Sequence, residues 1–116
     1  MKIRKLNNIT FGIIGYGSIG KVHKRNLEKM GYSFLIFDPK IDNTKKKRLK
    51  KLSQINKICS CIIIASPSNT HLKYLNYFVK KKKHIFIEKP FSHDTKKTTK
   101  IINTANKNKT IIAINY

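Results

Sequence analysis

Three glycines and one carboxylate stand at a spacing that suits the binding of a phosphorylated ligand. The glycines are Gly15, Gly17 and Gly20, and Asp38 follows 23 positions after the first of them. Gly15 permits a sharp turn, and Gly17 lets the backbone approach a phosphate closely. The first amides of a helix beginning here would have no intrahelical partner and would lie at the positive end of its dipole. The pattern therefore predicts an anion-binding loop.

The segments around this loop predict a strand, a helix and a second strand. An apolar run over 11–14 precedes it, an amphipathic segment over 18–30 follows, and a second apolar run over 34–37 ends at Asp38. An acid at the end of the second strand is where a dinucleotide-binding fold accepts hydrogen bonds from a ribose. Because the glycine pattern alone is weak evidence, this context is what favours dinucleotide binding over an ordinary glycine-rich turn.

Strands continue to alternate with helices along the rest of the chain. Apolar runs predict strands over 61–65, 84–88 and 110–115, and continuous apolarity is typical of parallel strands covered on both faces. Helical spacing of apolar residues indicates a helix capped at Asn69 or Thr70 and a last helix that begins at Asp94. Five strands and four helices with short connections predict an α/β fold, a doubly wound parallel sheet in one domain.

Two local expectations concern the first half of the chain. The first helix should end at Gly31 and bury one stripe, formed by Ile19, Val22, Leu27 and Met30. The basic segment over 43–52 is predicted to be a short helix capped by Asp42 or Asn43, whereas 54–58 is ambiguous.

The net charge of +21 by itself suggests a nucleic acid or an anionic membrane surface as partner. However, Lys, Ile and Asn, whose codons are rich in adenine and thymine, fill 53 of the 116 positions, so a coding bias explains the composition. The lysines are spread over the predicted helices, and Arg, which suits bidentate recognition of bases and phosphates, is scarce. We therefore expect no specific nucleic-acid partner, although loose attraction to polyanions at low salt follows.

The remaining candidate ligands do not form a metal site. Cys59 and Cys61 would point to one face of a strand, and we interpret them as small core residues rather than as a metal or redox pair. His23, His84 and His93 show no ligand spacing and are interpreted as structural or exposed. Residues 1–9 form a polar arm without a following signal-like apolar segment, and no run has the length of a membrane span. A cytoplasmic location without a membrane partner is expected.

Five motifs together resemble one oxidoreductase family over residues 10–116. They are Gly-Tyr-Gly-Ser-Ile-Gly at 15–20, Asp-Pro at 38–39, Ala-Ser-Pro-Ser-Asn-Thr-His at 65–71, Phe-Ile-Glu-Lys-Pro at 86–90 and Ile-Asn-Tyr at 114–116. This succession closely resembles the N-terminal Rossmann domain of the glucose-fructose oxidoreductase, inositol dehydrogenase and MocA (Gfo/Idh/MocA) family. The Glu-Lys-Pro motif is the most specific of the five, since methyltransferases with a similar glycine loop lack it.

The resemblance implies a role for each matching residue. The implied cofactor-binding residues are Gly15, Tyr16, Gly17, Ser18, Ile19, Gly20, Asp38, Ser66, Pro67, His71, Glu88, Lys89 and Asn115. The loop would hold the pyrophosphate and Asp38 the adenosine ribose, while residues 66, 67 and 71 would line the cleft near the nicotinamide ribose. Glu88 would contact the cofactor, and Lys89 would act near the nicotinamide as the catalytic residue. Asn115 would close the pocket, although Ala113 stands where the family commonly has glycine. The interval between Asp38 and Ala65 is short compared with the family, so one edge strand of its six-stranded sheet is expected to be reduced or absent.

The resemblance therefore implies the NAD(P)-binding domain of an oxidoreductase that transfers hydride between a sugar or polyol CH–OH group and nicotinamide. Asp38 favours NAD because a carboxylate repels a 2′-phosphate, whereas Lys40 and the lysines at 45–47 leave NADP as an alternative. The family's substrate-binding second domain is absent from this sequence, so a substrate would bind only if that domain is supplied. The alternative is a truncated or split nucleotide-binding module without catalysis of its own. Oligomerisation and the isomer of the Lys89–Pro90 peptide bond are left open.

Overall fold

A computed structural model describes residues 9–41, 45 and 47–115 and contains one parallel sheet flanked by helices. In chain order the elements are β1 (Thr10–Ile14), α1 (Ser18–Met30), β2 (Ser33–Phe37), α2 (Leu52–Ile58), β3 (Cys61–Ile64), α3 (His71–Lys80), β4 (His84–Glu88), α4 (Thr95–Asn108) and β5 (Ile112–Asn115). The predicted alternation of strands and helices is confirmed for this part of the chain. The predicted polar arm lies, apart from residue 9, outside the described residues.

The five strands are all parallel, in the order β2-β1-β3-β4-β5. From β1 the chain moves outward to β2, crosses back to β3, and then continues outward in the opposite direction. The strand order therefore reverses between β1 and β3. In sheets of this kind the connections leave these two strands in opposite directions, which opens a crevice at their carboxyl ends.

The two faces of the sheet are covered unequally. Successive strand residues point to opposite faces, so Ile13 packs with α1 whereas Ile14 packs with the helices on the other side. The α1 face has a small cluster around Leu27 and Phe34. The opposite face has the larger core, formed by β-strand isoleucines together with apolar residues of α2, α3 and α4, of which Phe78 is fully buried.

The predicted stripe on α1 is wrong for three of its four members. Leu27 is buried, but Ile19, Val22 and Met30 are 48%, 39% and 51% exposed. Because α1 is the one described helix packed on its face, only a narrow strip of it contacts the sheet, and its flanks have no neighbouring helix to cover them. The predicted end of α1 is confirmed, since Gly31 adopts a left-handed conformation with φ of 76°.

The helix predicted over 43–52 is wrong for the residues that the structure describes. Residues 47–51 are not helical, and α2 instead occupies the segment left ambiguous, while the predicted caps Asp42 and Asn43 lie outside the described residues. The physical reason is a competing backbone interaction with β2. Ile36 donates its N–H to the Lys47 carbonyl (2.6 Å) and accepts from the Leu49 N–H (2.8 Å). This single parallel bridge along β2 is consistent with the expected reduced edge strand.

Two smaller expectations concern a helix start and the cysteines. The carboxylate of Asp94 accepts from the Lys97 N–H at 3.0 Å and caps α4, as predicted. Cys59 ends α2 rather than lying in a strand, so the prediction that both cysteines point to one face of a strand is wrong. The Cys59 thiol is nevertheless buried in the larger core. Burial raises the pKa of Cys59 to about 11 and also raises that of Cys61. Both free thiols therefore stay protonated near neutral pH, which suits core residues rather than ligands or nucleophiles.

Candidate functional site

A cleft of about 530 Å³ lies at the carboxyl ends of β1, β2 and β3, at the point where the strand order reverses. Its lining comes from the glycine loop, the end of β2, the turn after β3 and one residue of α3. The lining residues are Gly15, Gly17, Ser18, Ile19, Asp38, Pro39, Lys40, Ala65, Ser66, Pro67, Asn69, Thr70 and Tyr74. A groove of about 760 Å³ between α3 and α4 is larger, but it is lined by lysines, polar residues and two aliphatic side chains away from the strand ends. We assign the site to the strand-end cleft because the predicted glycine loop and Asp38 both line it.

The glycines of the loop differ in what their missing side chains allow. Gly15 has φ of 95°, and a Cβ there would lie 2.6 Å from the Ser66 backbone nitrogen, so this position accepts no larger residue without strain. A Cβ on Gly20 would clash with the Gly15 carbonyl oxygen. A Cβ on Gly17 would meet nothing within 4 Å. Gly15 and Gly20 therefore shape the loop, whereas Gly17 leaves open space for a ligand beside the backbone.

The start of α1 presents unpaired amides beside this space. No side chain caps the helix, and its first turn contains no acid. The Lys21 N–H donates to the Gly17 carbonyl at 3.0 Å, whereas the N–H groups of Ser18, Ile19 and Gly20 have no partner among the described residues. These amides lie at the positive end of the helix dipole, which is the arrangement that binds phosphate groups.

The carboxylate of Asp38 is held by two backbone N–H groups. Its Oδ2 accepts from the Tyr16 N–H and its Oδ1 from the Lys40 N–H, both at 2.8 Å. Each carboxylate oxygen keeps a further lone pair for a ligand hydroxyl. Tyr16 therefore contributes its backbone amide, whereas its ring is not part of the cleft lining. The Lys21 ammonium lies 5.6 Å and the Arg48 guanidinium 5.0 Å from the centroid of that ring.

Tyr74 is a cleft residue that the sequence reasoning missed. It lies on α3, is 3% exposed, and contributes to the cleft lining. Burial and, to a lesser extent, the negative charge of Asp38 raise the pKa of Tyr74. The hydroxyl therefore stays protonated at neutral pH and is a hydrogen-bond donor. Its position four residues before Phe78 was the available signal, because that spacing puts both rings on one side of the helix.

Of the three site residues predicted at and after the end of β3, Ser66 and Pro67 lie at the cleft and His71 lies below its surface. Ser66 and Pro67 line the cleft, and the Thr70 hydroxyl donates to the Pro67 carbonyl at 2.6 Å. The ring of His71 is instead buried, with Nε2 2.9 Å from the Ser66 carbonyl oxygen and Nδ1 2.6 Å from the Pro90 carbonyl oxygen. In this structure His71 contacts the two turns rather than the cleft surface.

Glu88 and Asn115 are brought together at the ends of β4 and β5. Glu88 Oε2 accepts from the Asn115 amide at 3.0 Å, and Oε1 lies 2.7 Å from His23 Nε2 on α1. The His23 ring also packs edge-to-face against Phe86, with the centroids 5.5 Å apart. The partnership of His23 and Glu88 had no signal in the sequence, because 65 positions separate them.

Lys89 follows β4 directly and is exposed. The Lys89–Pro90 peptide bond is cis. Within the described ranges, no carboxylate lies in ion-pair distance of the Lys89 ammonium. Its side chain is thus unpaired at the end of the strand next to the cleft.

No group of three or more His, Cys, Asp or Glu side chains in 9–41, 45 and 47–115 is placed to hold a metal ion. Within the same residues, none of the helices combines the length and the apolar character needed to cross a bilayer.

Two proteins of known sequence are similar to this chain. The chain is 28% identical over 120 residues to the uncharacterized oxidoreductase YrbE of Bacillus subtilis, a match covering 93% of this chain and 35% of that protein. It is 27% identical over 93 residues to myo-inositol 2-dehydrogenase of Thermotoga maritima, covering 70% and 28%. The chain thus spans about a third of the length of these relatives.

A solved structure shows the same fold. The WlbA dehydrogenase of Chromobacterium violaceum, described in complex with NADH and UDP-GlcNAcA, superposes with a TM-score of 0.81 at 19% identity, covering 94% of this chain and 35% of that one. The family model described as "Oxidoreductase family, NAD-binding Rossmann fold" matches residues 9–116, which include the glycine loop, Asp38 and the Glu-Lys-Pro motif. The chain therefore belongs to the Gfo/Idh/MocA family of oxidoreductases, of which it represents the NAD-binding Rossmann domain.

Proposed function

We propose that this chain is the nicotinamide-dinucleotide-binding domain of an oxidoreductase acting on the CH–OH group of a sugar or polyol. The observation that carries the proposal is the cleft itself, in which three unpaired amides at the start of α1 face open space beside Gly17, with Asp38 held at its far side. A pyrophosphate matches the amides, and a ribose diol matches the carboxylate. Family membership supports the same ligand.

The preferred cofactor in this proposal is NAD. Asp38 has both oxygens directed by backbone N–H groups, and a 2′-phosphate beside it would bring two negative charges together. Among the described residues that line the cleft, Lys40 is the one with a basic side chain, whereas the Lys47 ammonium lies 4.3 Å from the Phe34 ring centroid. The described lysines therefore offer limited compensation for a 2′-phosphate.

In the proposed reaction the bound nicotinamide supplies the hydride-transfer chemistry. The amides after Gly17 and the Asp38 carboxylate fix the pyrophosphate and one ribose, which sets the direction of the remaining nucleoside. Lys89, at the end of β4, orients the substrate hydroxyl and takes part in moving its proton. Glu88 and Asn115 contribute to the same end of the site. The names of the relatives, myo-inositol 2-dehydrogenase and a dehydrogenase in complex with UDP-GlcNAcA, support a sugar-related substrate class.

Calorimetric titration tests the cofactor half of the proposal. We expect NADH to bind more tightly than NADPH at one fixed ionic strength, which must be matched because a chain with a charge of +21 attracts any anion. Equal affinities would contradict the preference for NAD. Absence of binding with both dinucleotides would overturn the proposed function.

A second candidate is a binding module without catalysis of its own, favoured by the observation that the chain spans about a third of its relatives. Incubation of the chain with NAD⁺ and myo-inositol, followed through the absorbance of NADH, distinguishes the two. Binding of NADH without turnover supports the module, and turnover supports the complete reaction. In either case we propose a cytoplasmic location, where nicotinamide dinucleotides are present and free thiols persist. Light scattering with and without NADH measures any self-association.

A further inference from the structure

His71 is buried, with 1% of its surface exposed, although its ring carries two polar nitrogens. It begins α3, directly after the turn that lines the cleft. Both of its ring nitrogens approach backbone carbonyl oxygens, Nδ1 that of Pro90 at 2.6 Å and Nε2 that of Ser66 at 2.9 Å. The ring therefore lies between the turn after β3 and the turn after β4.

The chemistry of this contact suits histidine. A carbonyl oxygen only accepts, so each ring nitrogen contributes a hydrogen bond only when it carries a proton. The neutral ring donates to one carbonyl and the imidazolium form to both. An aliphatic side chain of similar size would leave both carbonyls without this partner.

The two turns have few other connections. The pairing of β3 with β4 ends at Ile64 and Ile87, and no backbone hydrogen bond joins residues 65–70 to residues 88–93, all of which are described. His93 Nε2 lies 3.3 Å from the Ser68 hydroxyl, but this contact is exposed. The buried imidazole is thus the main polar link between the segment carrying Ser66 and the segment carrying Lys89.

The strand order shows which part of a dinucleotide this link would affect. Asp38 at the end of β2 and the glycine loop after β1 lie on one side, and the turns after β3 and β4 lie on the other. A ligand with one ribose on Asp38 and its pyrophosphate on the loop must therefore extend its second nucleoside toward Ser66 and Lys89.

We infer that His71 is a positioning residue that fixes the distance between the Ser66 and Lys89 turns, and that it thereby determines how the second nucleoside of the dinucleotide is held without touching it. This inference rests on the proposed function. It assigns His71 to the shape of the nicotinamide end of the cleft rather than to direct contact with the ligand.

The test compares NADH with ADP, which has the adenosine and diphosphate but no second nucleoside. We expect His71→Leu to weaken NADH binding by about tenfold, because the hydrogen bonds that order the Ser66 and Lys89 turns are lost. ADP binding should change by less than about twofold. His71→Gln keeps one donor nitrogen and should restore part of the NADH affinity. If His71→Leu does not fold, the ratio of the two affinities in His71→Gln decides the question.

A matched control is Val79→Ala, which shortens another buried side chain of α3, about two helical turns along the helix from His71. It should lower the melting temperature without changing the ratio of NADH to ADP affinity. A parallel loss for both ligands in the His71 variants, or no loss, would overturn the inference and leave the proposed function intact. Failure of the unmodified chain to bind either ligand would overturn the proposed function itself.

Discussion

The two halves of the strand-end cleft are built from different parts of the polypeptide. Around β1 and β2, the groups that face the cleft are backbone amides and one carboxylate, held by hydrogen bonds between Asp38 and nearby N–H groups. Around β3 and β4, the arrangement depends on side chains that contact other elements, such as His71 with Pro90 and Glu88 with His23.

This difference has a consequence for specificity. In the proposed function, the backbone amides of the β1–β2 half bind the pyrophosphate, which all dinucleotides share, and Asp38 binds a ribose. The β3–β4 half would lie near the reacting group and the substrate. The first half therefore tolerates few changes of backbone shape, whereas the second tolerates changes that preserve particular hydrogen bonds.

The largest effect is expected from Gly15→Ala. A Cβ at φ of 95° would lie 2.6 Å from the Ser66 backbone nitrogen, and we expect the free energy of unfolding to fall by about 3 kcal/mol. Gly17→Ala is the matched control, because its Cβ meets nothing within 4 Å; it should cost less than about 1 kcal/mol of stability yet weaken NADH binding. Urea unfolding followed by circular dichroism measures the free energy of unfolding of both variants, and calorimetric titration measures their affinity for NADH. Equal stability of the two variants would contradict the distinction between the glycines.

The next effect concerns the carboxylate of the β1–β2 half. Asp38→Asn should weaken NADH binding about tenfold or more, since a hydrogen bond to a charged acceptor contributes about 1.5–3 kcal/mol. NADPH should lose less, because the repulsion of its 2′-phosphate is relieved. Glu28→Gln removes the same charge from an exposed residue paired only with Lys24 at 3.5 Å, and it should leave both affinities nearly unchanged. If both substitutions weaken NADH equally, net charge rather than ribose contact explains the result.

A smaller effect on binding is expected from Glu88→Gln in the β3–β4 half. Both oxygens of Glu88 are engaged, one with Asn115 and one with His23, so the substitution should cost about 1–2 kcal/mol of stability. The change in NADH affinity should be well below that of Asp38→Asn. A loss as large as that of Asp38→Asn would show that Glu88 contacts the cofactor directly, and calorimetry with both variants separates the two roles.

The smallest effect on binding is expected from Lys89→Gln. Lys89 is exposed and has no ion-pair partner among the described residues, so NADH affinity should change by no more than about twofold at fixed ionic strength. Lys57→Gln, at an exposed position on α2, is the control for the loss of one positive charge. A strong loss of affinity in Lys89→Gln alone would place its ammonium on the dinucleotide. If the chain turns over a polyol, Lys89→Gln should lower that rate and Lys57→Gln should not.

Much of the fold could be predicted because its signals are local. Apolar runs and helical spacing gave the alternation of strands and helices, and the Asp94 cap was recognisable from neighbouring residues. The errors arose where a distant partner decided the outcome. Residues 47–49 bond to β2 instead of continuing a helix, and the flanks of α1 are exposed because no other described helix covers its face.

By itself, the sequence determined the glycine loop, its acid and the order of the elements, because each depends on steric and hydrogen-bonding requirements of residues close together in the chain. Only the tertiary structure decided that Tyr74 lines the cleft, that His71 joins two turns, and that Glu88 is held between α1 and β5. These partners lie as many as 65 positions apart, and no periodicity specifies which side chains meet when separate elements pack.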